Sequence, residues 1–347
     1  MEIRTGRQAN KFTQRLRNRR SADSHFGIVS VLLILILLQT LVLGFDYGSF
    51  GQWFSAWGRN WINILRNNAG IGIIALGMTL VIITGGIDLA VGSTLVATGA
   101  VIMTLIDTGP KGVLLNLGIT GTPAYVLTIV IAVILGYVLG TLIGLLITKG
   151  RIAPFVATLG AMKIFRSVTQ HFMQGYNPRV PKEFLQISNL TINKLMFMPI
   201  VYWAIIAAVL HYISTRTVFG RQVIAVGSNE RAAQLSGVNV DGVKTRTYSL
   251  MGILVAVAAI IQVSRIGSMD FANAGSGYEM DAIAAAVVGG TSMSGGRGTI
   301  IGTVLGMLII AVMNNLLNLF GVPPFLREAF KGIIVIFAVL LQRKEKA

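Results

Sequence analysis

Twenty consecutive residues without a charge, Phe26 to Phe45, restrict the fold of this chain more than any other feature. At 1.5 Å per helical residue the run matches the roughly 30 Å hydrocarbon layer of a bilayer. Fifteen of the twenty are Leu, Ile, Val or Phe. Each favours insertion by roughly 0.3–0.6 kcal/mol at a helix centre, so Gln39 and the hydroxyls are carried easily. The apolar core exceeds the usual 7–15 residues of a signal peptide, and "LGFDYGSF" after it offers no A-x-A-like cleavage site, so a retained span is expected. The remainder agrees: 54% of the 347 residues are hydrophobic and only 12% charged, about half the charged fraction of a soluble domain.

The net charge of +16 is unevenly placed. Seven basic residues precede position 26, five lie between Thr215 and Arg246, and Arg343, Lys344 and Lys346 end the chain. The positive-inside rule explains this spacing with no nucleic-acid partner. It predicts an all-α, polytopic membrane protein of about ten helices, some broken or re-entrant. The expected spans are 26–45, 69–84, 87–106, 124–148, 152–174, 196–214, 247–266, 281–292, 299–320 and 326–342. A basic tail (1–25), a transmembrane domain (26–342) holding a cytoplasmic loop (215–246), and a short C-terminal tail (343–347) follow, with both termini cytoplasmic. Gly267 to Met280 is read as an outer loop. The eighth span, about twelve residues, is too short to cross alone.

Two glycine tracts resemble each other: "GGIDLAVGST" from Gly85, and "GGTSMSGGRGT" from Gly289 to Thr299. Gly85, Gly86, Gly289, Gly290, Gly295 and Gly296 are the expected breaks. Glycine-interrupted apolar segments point either to close helix packing or to a transport path. Asp88 lies inside the first tract. A carboxylate at a helix centre costs about 2.5–3.5 kcal/mol on the insertion scale, so it either caps the third span or faces a water-filled path.

Enzymatic motifs are absent. "GTSMSGGR" has Gly296 where a Walker A loop needs Lys, and "GVNVDGVKT" displaces Lys244 by one residue. There is no G-x-S-x-G elbow. His25, His171 and His211 are scattered without HExxH, and there are no cysteines, so neither a metal site nor a thiol nucleophile is expected. No cofactor is expected on this chain.

The 215–246 loop contains "SNERAAQLSG". Ser228 or Asn229 is placed to cap a two-turn helix, Glu230 stands in its first turn, and Gly237 sits where a C′ glycine ends it. A helix this short is marginal in water, which suggests either a docking element for a soluble partner or a surface helix packed on the spans.

Taken together, "GGIDLAVGS" (85–93), "APFVATLGAM" (153–162), "FGRQVIAVGSNERAAQLSGV" (219–238), "YEMDAIAAAVVGGTSMSGGRGTIIGT" (278–303) and "MNNLLNLFGV" (313–322) resemble the permease of an ATP-binding-cassette sugar importer. The type is that of ribose, xylose and galactose permeases, related to branched-chain amino acid permeases. The resemblance implies a bacterial inner-membrane protein that works as a pair, with itself or another permease. Two cytoplasmic ATPases that bind ATP and Mg would power it, and a periplasmic or lipid-anchored sugar-binding protein would deliver cargo. It makes Ser228, Asn229, Glu230, Arg231, Ala232, Ala233 and Gly237 the coupling helix, with Arg231 where the family pattern often has Glu. Asp88, Asp281, Asn314 and Asn315 match polar positions of the motifs. Thr84, Thr158, Gln262, Asn314 and Asn315, with Asp88, are the candidate path-lining groups, unless each only bonds between helices at about 0.6 kcal/mol. The basic tail could also touch anionic lipid. The rival reading is an ion-coupled secondary transporter of a small polar solute.

Overall fold

A computed structural model of the chain describes residues 27–44, 48–192, 195–324, 326–333 and 336. The basic tail (1–25), the C-terminal tail (343–347) and the last part of the expected tenth span lie outside the described residues.

Helices dominate: α1 (Gly27–Leu43), α2 (Phe50–Ile83), α3 (Val91–Leu105), α4 (Val113–Asn116), α5 (Gly121–Thr148), α6 (Pro154–Met173) and α7 (Lys182–Asn189) are followed by α8 (Met198–Arg216), α9 (Val218–Ser228), α10 (Glu230–Leu235), α11 (Val240–Ile266), α12 (Tyr278–Val288) and α13 (Ile300–Leu319). Residues 326–333 are helical apart from these. A two-residue hairpin, β1 (Thr191–Ile192) against β2 (Leu195–Met196), is the described sheet. Among the described residues, five helices, α2, α5, α8, α11 and α13, are long and apolar enough to cross a membrane.

The second expected span, 69–84, is less than half of the helix that forms. α2 has 34 residues, about 51 Å. Its first half carries Arg59, Asn60, Arg66, Asn67 and Asn68, which broke the hydropathy signal. Helix forms there because Ser49 caps it, accepting from Gln52 N at 3.3 Å, and because an aromatic ladder of Phe50, Phe54, Trp57 and Trp61 stacks at i+3 and i+4 spacing with centroids about 6 Å apart. Two indoles tie it to α1, Trp53 Nε1 donating to Gly44 O at 3.0 Å and Trp57 Nε1 to Thr40 Oγ1 at 3.1 Å.

The core lies where α2 and α11 run side by side, with Ile73, Ile74, Leu76, Met78, Met251, Val255, Ala258 and Ala259 buried between them. α5 joins through Gly136, Gly140 and Gly144, one residue per turn, which lie against the backbone of Thr245, Tyr248 and Gly252. Lipid has no hydrophobic advantage over another apolar helix, so dispersion at this short range holds such pairs. The helix ends joined by α9 and α10 form one end of the bundle; α7 and the hairpin lie at the other.

Candidate functional site: two broken segments and the helix that joins them

Two crossings of the bundle are only partly helical. The third expected span, 87–106, is helical from Val91, and residues 84–90 run without helix alongside α11. Gly86 lies against Tyr248 near the start of α11, and Gly99 against Val263 and Met269 near its end. The eighth, expected at 281–292, is α12 over Tyr278–Val288. Eleven helical residues cover about 16 Å, half a bilayer. Gly267–Gly277, expected as part of an outer loop, leaves the end of α11 with Asp270, Ala272 and Asn273 exposed and then turns in, so that Gly275 meets Gly92.

At that meeting the two half-helices present their N-termini to each other. A Cβ at Gly92 would strike the Gly275 carbonyl and the Glu279 carboxylate, and Gly275, at φ +70°, lies against the Gly92 backbone. Only glycine allows both the close approach and the left-handed conformation. The two helix N-termini bring their positive dipole ends close together at this crossing.

Asp88 sits beside this crossing, 4% exposed. Its Oδ1 accepts from Ala90 N at 2.8 Å. Ala90 is itself the N-cap of α3, and no side chain bonds the first-turn amides. The expected cap of the third span is thus displaced by one turn residue. Tyr248 Oη donates to Ile87 O at 3.2 Å, fixing the same strand of backbone. Among the described residues no cation pairs with Asp88.

The second segment is held by charges. Arg166 of α6 reaches across and donates Nη1 to Ala274 O at 2.6 Å and Ala272 O at 3.3 Å. Asp281, in the first turn of α12, is paired with Lys331 Nζ at 2.9 Å (Oδ1) and 3.1 Å (Oδ2), and Lys331 also meets Glu328 at 2.9 Å. Arg166 and Lys331 were not among the candidate residues of the sequence, although both are charges inside expected spans.

The two glycine tracts meet at the α9–α10 end. Gly296 N donates to Ile83 O at 2.9 Å, and a Cβ on Gly295 would meet Gly85 N. The third member is Gly227 of α9, whose missing side chain leaves room for the Ile83 carbonyl and the Gly296 amide. One residue further, α9 ends and α10 begins. Asn229 is the cap, its side chain accepting from Ala232 N at 2.9 Å. Ser228 is the last residue of α9 and bonds Ile224 O at 2.8 Å, so of the two expected caps Ser228 is not one. Gly237 at φ +80° closes α10, with Val238 N bonded to Ala233 O at 3.0 Å. Glu230 is paired with Lys244 at 2.7 Å, and Arg231 leans on Gln234 at 3.4 Å. Ala233 is buried, while Ala232 and Leu235, the latter 76% exposed, face outward.

The remaining candidates are dispersed. Thr84 bonds Val81 O at 2.7 Å and Thr158 bonds Pro154 O at 2.8 Å, each on its own helix. Gln262 accepts from Arg265 at 3.2 Å. Asn315 exchanges weak bonds with Asn60 of α2 at 3.3 and 3.4 Å. The Asn314 side-chain oxygen is buried without a partner among the described residues. Gly289 packs on Gly302 and Thr303 of α13, and Gly290 turns the chain at φ +89°. No two of these polar groups share a hydrogen-bond partner.

Long apolar helices, two partly helical segments and a short capped helix at one end define a polytopic all-α membrane protein. The chain belongs to the branched-chain amino acid transport system permease component family, whose model matches residues 60–339. It is 45% identical over 83% of its length to the ribose import permease protein RbsC of Bacillus subtilis, covering 86% of that protein. It is 37% identical over 92% of its length to the RbsC of Escherichia coli K12, covering 94%. The galactose/methyl galactoside import permease protein MglC of Escherichia coli K12 is 34% identical over 81% of the chain and 85% of its own length. No solved structure shows significant similarity to it.

Proposed function

We propose that this chain is the membrane-spanning permease subunit of an ATP-driven, binding-protein-dependent sugar importer. The observation that carries the proposal is the backbone junction of Gly227, Ile83 and Gly296. It joins an exposed helix at one end of the bundle directly to both broken segments inside it. Relatives named as ribose and galactose import permeases support sugar as the cargo class. On this reading 26–342 is the transport domain and 1–25 and 343–347 are cytoplasmic tails in a bacterial inner membrane. α10 docks into a cytoplasmic ATPase through Ala232, Leu235 and Gly237. A second permease copy, alike or different, completes the path, and a periplasmic or lipid-anchored binding protein delivers sugar at the far end. ATP and Mg belong to the ATPases, and the chain itself catalyses nothing.

The mechanism follows from the junction. ATP binding closes the ATPases and moves α10. Because α9 touches the ends of α2 and of the 289–299 segment backbone to backbone, the movement reaches Gly92 and Gly275 through two half-helices without relying on side-chain contacts. Alternating access then needs only that the crossing part and re-form.

The test is co-purification. The C-terminally tagged chain, extracted in mild detergent from its native membrane, brings down an ATPase; the Ala232→Glu, Gly237→Trp double variant, still folded, does not. A wild-type chain that emerges alone under conditions preserving known complexes sinks the proposal. The intramembrane pair Asp281–Lys331 favours one second reading, an ion-coupled carrier. Uptake that follows a proton or sodium gradient without ATP would support it.

A further inference from the structure

α6 carries polar residues where lipid would be expected. Lys163, Ser167, Gln170 and Gln174, at i, i+4, i+7 and i+11, fall on one face, and all four are exposed. The neighbouring face is apolar, with Ile164 61%, Val168 50% and Phe172 73% exposed. A lysine and two amides facing hydrocarbon would be costly, so the polar stripe faces water and the apolar one faces lipid or protein.

At the end away from α10 the stripe opens into a groove of about 950 Å³, within the size range of small-molecule sites. Its floor is apolar: Met173, Met269 and Phe271 are buried. One wall is a fixed aromatic ring. Tyr176 donates to Asp107 Oδ2 at 2.7 Å and has Lys111 Nζ 5.1 Å from its ring centroid. Asp107, 3% exposed, anchors that wall further by accepting from Arg179 N at 2.7 Å and Gly109 N at 2.9 Å. The opposite wall is the Asp270 turn, where the carboxylate is taken up by Ala272 N, Asn273 N and Asn273 Nδ2 at 3.0, 3.3 and 2.8 Å. Gln170 Nε2 reaches Ala272 O at 3.4 Å and bridges the two walls.

Apart from the exposed His171 and the bonded Asp270, the polar side chains that line the groove are neutral. Those of Ser167, Gln174 and Asn177 make no hydrogen bond among the described residues. An aromatic and thioether floor under a rim of amides and a hydroxyl suits a ring that is apolar on its faces and hydroxylated at its edge. The groove has no cation cluster for a phosphate and only one carboxylate, already bonded. We infer that it is a low-affinity monosaccharide subsite at the mouth of the path, and that Gln174 and Asn177 hold sugar hydroxyls there as cargo passes from the binding protein to the stripe.

The inference rests on the importer reading, and its test separates the two. The complete importer, with its ATPases and binding protein, is reconstituted in liposomes and given D-ribose or D-galactose. Uptake and binding-protein-stimulated ATP hydrolysis are measured on the same vesicles. Each lost hydrogen bond is worth about five-fold, so Gln174→Ala with Asn177→Ala is expected to cut uptake about five- to twenty-fold while stimulated hydrolysis stays within about two-fold. Ile164→Ala on the apolar face leaves both unchanged. Uptake unaffected by the double variant overturns the subsite. Uptake and stimulated hydrolysis falling together also overturn it and make the groove a docking surface for the binding protein. A wild type with no ATP-driven uptake of either sugar overturns the importer reading itself, and the subsite with it.

Discussion

The two broken segments reach the same crossing point by different means. The first, 84–90, is held by its own backbone: Asp88 bonds Ala90 two residues on, and Tyr248 holds a single carbonyl. The second, 267–277 leading into α12, has a turn of its own at Asp270 but is also tied to other helices by charged side chains, Arg166 on α6 and Lys331 on the last helix. Only the second segment is tied by charges to distant helices, so on the proposed reading it is the side expected to shift when those helices move.

That contrast can be broken at its strongest point first. Lys331→Ala leaves Asp281 charged and buried, a loss of about 3–5 kcal/mol. It is read as collapse of the monodisperse peak and of the thermal midpoint in detergent, with recovery expected in Asp281→Asn with Lys331→Ala. No loss in the single variant would remove the pin. Gly275→Ala places a methyl against the Gly92 backbone at positive φ and is expected to cost about 1–3 kcal/mol, checked by the same midpoint. Arg166→Gln gives up charge-assisted bonds to two carbonyls, about 1.5–3 kcal/mol in full and less if the amide still reaches one. If the second segment moves, protease access at Asn273 rises in this variant.

Smaller effects belong to the first segment. Asp88→Asn keeps an oxygen for Ala90 N and should change the midpoint by less than about 1 kcal/mol. A large transport defect with normal stability would show that the charge itself matters. At the mouth, burial raises the Asp107 carboxyl, but bonds from Arg179 N, Gly109 N and the Tyr176 hydroxyl outweigh it and hold it below the ordinary carboxylate range. Its stabilisation is therefore full above the unfolded carboxylate pKa and lost as pH falls through the lowered folded value. Acid should loosen the Tyr176 wall, a change visible in tyrosine fluorescence and absent in Asp107→Asn.

Most long helices were legible because hydropathy and length suffice for them. α10 was legible because caps are local chemistry: Asn, Glu and Gly at fixed spacing. The first half of α2 was not, since its stability comes from aromatic stacking and indole bonds to α1 rather than from uniform apolarity. The inward turn of Gly267–Gly277 was not legible, since a lack of Lys and Arg says nothing of the contact between Gly275 and Gly92 or of the bonds from Arg166, about a hundred residues away in sequence. The α6 stripe is readable as Lys163, Ser167, Gln170 and Gln174 on one face, whereas Thr158, the expected lining group of this helix, is buried and bonded to its own helix.

The junction at Gly227 has a consequence for how such a protein diversifies. Its contacts are between main-chain atoms, so they do not depend on side-chain identity beyond the glycines that permit them. On the proposed reading, α10 can therefore change Glu230, Arg231 or Leu235 to suit a different ATPase, and the groove can change Gln174 or Asn177 to suit a different cargo. Neither change alters the gearing between them.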